Sequence, residues 1–243
     1  MTGFVVPEII FTHKTDAMRE LLKLASIGYS HYTSGEVEPK KLQVLIYKFT
    51  DRYLINRTTS QACSAKKKGF SNVKLILWQN FDMTISFWLL ATEGDNPVFA
   101  LEQMKDLRNR KQRLSFEGYE IVKCPRIKLK TATDKKQFKA RWTWRITKEQ
   151  MSNWEERIKK AVRWKNDIAI NQIIYSLQRI AGFSMSRDQG FDLIRLMKYE
   201  WKRAMKTEWA YNDIFIGWTG KFKKAEKITI AKAIKNKDKH RGR

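Results

Sequence analysis

Cysteine and histidine are both scarce in this chain. Cys63 and Cys124 lie far apart and form no CxxC pair, and His13, His31 and His240 are scattered. A structural zinc site needs four such ligands at close spacing, so a zinc finger is excluded and no metal site is expected. Two lone thiols give no disulfide framework and fit a reducing cytoplasm. No HxH pair exists to hold the metal of a rolling-circle nuclease or relaxase. The acidic residues are dispersed, with Asp82, Glu93 and Asp95 flanking one predicted strand instead of clustering as a metal-dependent nuclease requires. Long apolar runs are missing too. The longest, around Phe87–Ala91, is far too short to cross a bilayer. Met1–Ile10 lacks the basic segment of a signal peptide and contains Pro7 and Glu8. The expectation is a cytoplasmic protein with no membrane partner. "GWTGKF" (217–222) ends on a Gly-Lys pair, but its glycine spacing is too short for a P-loop and no Ser or Thr follows Lys221. No nucleotide or other cofactor is expected.

Positive charge is what the chain has in excess. Forty-nine Lys and Arg oppose 25 Asp and Glu, a formal net charge of +24 over 243 residues. Such an imbalance costs self-repulsion unless a polyanion relieves it. With 42% hydrophobic and 12% aromatic residues the chain can still bury a core. A folded, aromatic-rich, basic protein points to nucleic acid as its partner.

Periodicity gives the elements. "DAMRELLKLASI" (16–27) carries a helical apolar stripe with Asp16 as N-cap, and "PKKLQVLIYKFTDRY" (39–53) starts at Pro39 with Leu42, Leu45, Ile46, Phe49 and Tyr53 on one face. The turn-rich "GYSHYTSGEVEP" between them reads as the connection of an αα-hairpin. "SAKKKGFSN" (64–72) reads as a basic loop. Alternation then takes over: "VKLILWQN" and "FDMTISFWLLATEG", joined by a turn at Asn80–Asp82, are strands, as are "EGYEIVKCPRIKL" and "KARWTWRIT". A short helix is expected over 97–107. Thr147 and Gln150 resemble a capping box opening a helix through Met151, Trp154, Ile158, Ala161 and Val162. That helix either continues through the following segment or restarts at Asn166. A last helix, "SRDQGFDLIRLMKYEWKRAMK", turns Leu193, Leu196 and Met197 inward. The fold class is therefore α+β: one domain over residues 1–220, with a central, mostly antiparallel sheet of about four strands flanked by N-terminal and C-terminal helices. Residues 221–243 read as a solvated basic tail.

In "KARWTWRIT" (139–147) the tryptophans and the arginines fall on opposite faces of a strand. Trp142 and Trp144 are assigned to the core, which leaves Arg141 and Arg145 as an outward cationic face. "RNRKQR" supplies Arg108, Arg110, Lys111 and Arg113 ahead of the third strand. "RIKLKTATDKK" supplies Arg126, Lys128 and Lys130 after it, and the tail supplies Lys221, Lys223 and Lys224. These side chains are the candidate nucleic-acid contacts, since Lys and Arg neutralise phosphates and release counterions. No catalytic residue is assigned. The catalytic alternative rests on His31, with Tyr29 and Tyr32 nearby, as the base of a metal-independent ribonuclease that processes guide RNA in a defence system. A basic structural RNA-binding protein is a third reading, although Phe, Trp and Met are plentiful for one.

The stretches "GYSHYTSGEV", "FWLLATEG", "KQRLSFEGYEIVKCPR", "WTWRI" and "SLQRIAGFSMSRDQ" together resemble MobI-like mobilization auxiliaries of conjugative plasmids and integrative elements. None of them is a signature with assigned roles, so no catalytic residue carries over. The resemblance implies a cytosolic DNA-binding auxiliary of a mobile element, with DNA favoured over RNA, that helps a relaxase at a transfer origin during plasmid mobilization.

Overall fold

The structure, a computed structural model, describes residues 10–124, 140–219 and 225–241, the last stretch with side chains to 238. In chain order the elements are β1 (Ile10–Phe11), α1 (Lys14–Ser26), β2 (His31–Val37), a 3-10 turn (Pro39–Lys41), α2 (Leu42–Tyr53), α3 (Thr59–Lys67), β3 (Val73–Gln79), β4 (Ile85–Ala91), α4 (Val98–Leu101) and β5 (Lys105–Asp106). There follow β6 (Ser115–Phe116), β7 (Tyr119–Cys124), β8 (Arg141–Ile146), α5 (Lys148–Arg163), α6 (Asp167–Gln178), α7 (Ser184–Met205), β9 (Lys227–Ile228) and α8 (Ile230–Arg241). The class is α+β, as the periodicity predicts. The four predicted strands all form, but in two sheets instead of one, and they have additional partners. The described chain divides into two compact units. One runs to Leu114 and is completed by the segment from residue 225 onward. The other runs from Ser115 to residue 219. This division differs from the reading of one domain over 1–220 with a separate tail.

The first unit is built on a six-stranded mixed sheet in the order β5-β2-β4-β3-β1-β9, with β1 parallel to β3. β3 and β4 form the expected hairpin, in register from Val73↔Ala91 to Gln79↔Ile85. At its turn the Asn80 N–H donates to the Thr84 carbonyl and Met83 takes a left-handed conformation. Alternate residues of the pair, Leu77, Ile85 and Leu89 among them, are fully buried beneath Leu42, Phe49 and Tyr53 of α2. The predicted αα-hairpin is absent, because the segment between α1 and α2 is β2, paired along its length with β4. Gly35 hides this strand from a propensity reading. It lies directly opposite Phe87, and a Cβ at Gly35 would come within 2.9 Å of that ring. The aromatic ring covers the gap the glycine leaves. The first four residues of the predicted basic loop at 64–72 are the end of α3. A capping box between Thr58 and Gln61 starts that helix, and Gly69, at φ +83°, follows its end. The helix expected over 97–107 is shorter, confined to α4.

The tail reading is corrected for the described part. β9 pairs antiparallel with β1, placing Ile228 opposite Ile10. Ile228, Ile230 and Ala233 are buried in the same cluster as Leu42, Leu77 and Ile85. Gln79 donates to the Ala233 carbonyl, and Lys237 reaches Glu38 at 3.3 Å. The lysines dominate the composition of this segment, but Ile228, Ile230, Ala233 and Ile234 recur at the spacing that covers the sheet. Ile228→Ala should therefore lower the unfolding free energy by about 2–5 kcal/mol, measured by urea denaturation. A solvated arm would show no change.

The second unit holds the antiparallel sheet β6-β7-β8, with β7 and β8 in register from Tyr119↔Ile146 to Cys124↔Arg141. α5, α6 and α7 enclose a core of Trp154, Ile158, Val162, Ile173, Leu193 and Met197. Ile214 and Ile216, from the extended segment after α7, close that core. The Thr147 hydroxyl accepts from the Gln150 N–H and caps α5. The continuation left open by the sequence is a break: Lys165 is left-handed, and the Asn166 side chain caps a new helix by accepting from the Ala169 N–H. Gln189 of α7 meets the outer edge of β8. Its amide accepts from the Ile146 N–H at 2.7 Å and donates to the Ile146 carbonyl at 3.1 Å.

Candidate nucleic-acid interface

The two tryptophans of β8 have different surroundings. Trp144 is fully buried between the rings of Phe116 and Phe183, each at 6.4 Å. Trp142, on the same face, is half-buried, with the Lys123 ammonium 5.8 Å from its ring centre. The opposite face is not a uniform cationic surface. Thr143 is buried and bonded to the Ser184 hydroxyl at 2.9 Å. Arg145 lies directly opposite Glu120 and donates to its carboxylate at 2.6 Å. Of the two predicted arginines on this strand, Arg141 is exposed and Arg145 is engaged within the fold. The alternation of "YEIVK" sets Glu120 on one face of β7, and the β7–β8 register brings that residue opposite Arg145.

"RNRKQR" belongs to the other unit. Arg108 donates to Asp106 at 2.9 Å and to Glu93 at 2.5 Å. Its guanidinium holds the Asp106 carboxyl below the ordinary carboxylate range, and the two carboxylates raise Arg108 in turn. Arg110 and Lys111 are exposed in the turn that follows, and Arg113 is half-buried, its carbonyl accepting from the Tyr32 hydroxyl. Arg126, Lys128, Lys130, Lys221, Lys223 and Lys224 lie outside the described residues. His31 sits in β2, not in a loop, with its ring edge-on to Phe99 and 3.3 Å from the Ser30 hydroxyl. Tyr29 and Tyr32 are buried, and desolvation pushes the Tyr32 phenol up to about 12. Neither is an exposed nucleophile. Among the described residues, no three His, Cys, Asp or Glu side chains come together as a metal-binding group.

The second unit carries a basic and aromatic surface that periodicity alone did not reveal. α5 and α6 meet at the short turn Trp164–Asn166, and between them lies a cleft of about 230 Å³. Arg157 and Lys160 stand on its α5 side, Gln172 on its α6 side, and Ala161 and Ile173 form its apolar floor. Trp164, at the rim, is 74% exposed. Along α6 the exposed residues Ile168, Gln172, Tyr175 and Arg179 form one stripe at helical spacing. The Arg179 guanidinium stacks 4.1 Å from the centre of the Tyr175 ring. Beyond α6, the Arg187 guanidinium lies between the rings of Phe191, at 4.6 Å, and of the exposed Trp218, at 4.5 Å. Its Nε donates to the Ile216 carbonyl. Stacked arginines keep their outer N–H groups for an anion while the ring fixes the plane. In "RWKN" (163–166) a tryptophan stands between two cations, a local signal that could have drawn attention here, although the stretch by itself does not say whether the ring is exposed.

Comparison of the chain with protein-family models, curated proteins and solved structures gives no match.

The pairing on β8 separates the two arginines experimentally. Arg145→Ala should destabilise the fold by about 1–3 kcal/mol, because Glu120 loses its charged donor in a half-buried site. Arg141→Ala should leave the melting temperature unchanged. Thermal unfolding of the two variants side by side checks this.

Proposed function

We propose that the chain is a non-catalytic DNA-binding auxiliary factor of a mobile genetic element, one that assists DNA processing at a transfer origin during conjugation. The observation that carries the DNA-binding part is the surface of the second unit, where Arg157, Lys160, Arg179 and Arg187 stand beside exposed Trp164, Tyr175 and Trp218. Cations supply attraction to phosphates at any sequence, and exposed rings supply stacking surface for bases. The net charge of +24 supports the same partner. Support for the mobile-element part is the resemblance of "KQRLSFEGYEIVKCPR", "WTWRI" and "SLQRIAGFSMSRDQ" to mobilization auxiliaries. A relaxase is the protein partner this reading names, and the cytoplasm is the compartment. The absence of a membrane-spanning helix among the described residues is compatible with that assignment.

Affinity for DNA should fall by roughly a thousandfold between 50 and 200 mM salt if about six phosphates are neutralised. A fluorescence-anisotropy titration over that range tests it, and a flat response would remove nucleic acid as the partner. Labelled DNA and RNA incubated with the full chain in EDTA should remain intact. RNA cleavage that disappears in His31→Ala would replace this reading with the ribonuclease.

A further inference from the structure

We infer that the cleft between α5 and α6 seats an unpaired nucleotide of single-stranded DNA, with the Trp164 indole as its stacking platform. The inference rests on the DNA-binding reading and specifies which form of DNA this surface takes. Shape is the first reason. Reading a duplex directly requires a protruding element that enters a groove. The feature here is concave, so the nucleotide must come to the protein, and a base can do that only outside a paired stack. Size is the second reason. At about 230 Å³ the cleft is smaller than the roughly 300–1,000 Å³ of sites for larger ligands. It has room for a single ring system.

The lining matches a nucleotide group by group. Trp164 offers an open ring face from a fixed backbone position. Its backbone N–H donates to the Lys160 carbonyl, and the left-handed Lys165 and the capping Asn166 lock the turn after it. Ile173 and Ala161 give the floor an apolar surface for the base. Gln172, exposed on α6, presents an amide with both donor and acceptor to a base edge. Arg157 and Lys160 stand where the phosphates of a strand would pass. The Arg157 guanidinium is steadied 5.1 Å from the Trp154 ring centre. Lys160 pairs with Glu156 at 2.6 Å, but this is an exposed pair one helical turn apart. Such pairs contribute little to stability, so the ammonium is free to exchange its carboxylate for a phosphate. The stripe that continues along α6 to Tyr175 and Arg179 gives the neighbouring nucleotides a second ring and a second guanidinium.

The test uses the full chain and two probes at one salt concentration: an oligothymidine strand, and a mixed-sequence duplex of the same length. Trp164→Ala should weaken binding to the single strand by about tenfold or more, and binding to the duplex by a much smaller factor. Trp164→Phe, which keeps a ring, should retain most of the single-strand affinity. The indole is exposed, so neither change should lower the melting temperature. If Trp164→Ala proves unstable, the exposed Gln172→Ala takes its place, with a smaller loss confined to the single strand. Equal weakening on both probes, or no weakening on the single strand, overturns the nucleotide seat while the DNA-binding reading stands. Failure of the unmodified chain to bind either probe removes both.

Discussion

The first unit depends on the need to cover one apolar sheet face. Leu77, Ile85 and Leu89 of the central hairpin are almost completely withdrawn from water, in two clusters to which separate segments of the chain contribute. α2 covers part of the face from the N-terminal side. From the far end of the chain β9 extends the sheet beside β1, and Ile230 and Ala233 of α8 join the cluster over the face. Burial of such side chains is worth about 1.5–3 kcal/mol each. Ile228, Ile230 and Ala233 supply that stabilisation within a lysine-rich segment. The ordering of the chain's last described segment is thus a consequence of hairpin hydrophobicity. Lys237 against Glu38 and Lys40 against Asp238 then tie the two ends together by charge.

Charge follows a second rule. The acids are too few to neutralise every cation, and many of them are used close to the backbone framework. Glu120 holds Arg145 across a strand pair, Asp106 and Glu93 hold Arg108, and buried Glu200 receives both Arg163 and Arg203. These arginines brace local structure. Two outward guanidinium groups, Arg157 on α5 and Arg179 at the end of α6, are instead oriented by aromatic rings, Trp154 and Tyr175. A ring fixes the guanidinium without neutralising it, so the charge stays available for a phosphate.

Where a single period dominated, the sequence was readable. The β3–β4 hairpin, the apolar face of α2, the cap at Thr147 and the inward face of α7 are all visible as alternation or helical spacing. β2 was not, because Gly35 and its polar neighbours suggest a turn, whereas its strand is held by pairing with β4, where the Phe87 ring lies over the glycine. α8 was obscured by lysines that conceal four well-spaced apolar residues. For the interface, Arg141 and Arg145 are identical in composition and alternation. Their difference lies in Glu120, more than twenty residues upstream, and no local rule couples the two. The α5–α6 cleft was harder still. Nothing in "RWKND" distinguishes an exposed tryptophan from a buried one until the left-handed Lys165 turns the chain.

The contact between Gln189 and Ile146 also bears on how copies of this protein behave toward each other. β8 is an edge strand, and its outward N–H and carbonyl groups are a template on which a strand from another molecule can add. A primary amide has the same donor and acceptor spacing as a peptide group. Gln189 therefore acts as a one-residue surrogate strand that already occupies the ladder at Ile146. The opposite end of β8 begins with the exposed charge of Arg141. At Ile146 the glutamine leaves no free donor or acceptor for such a strand to pair with.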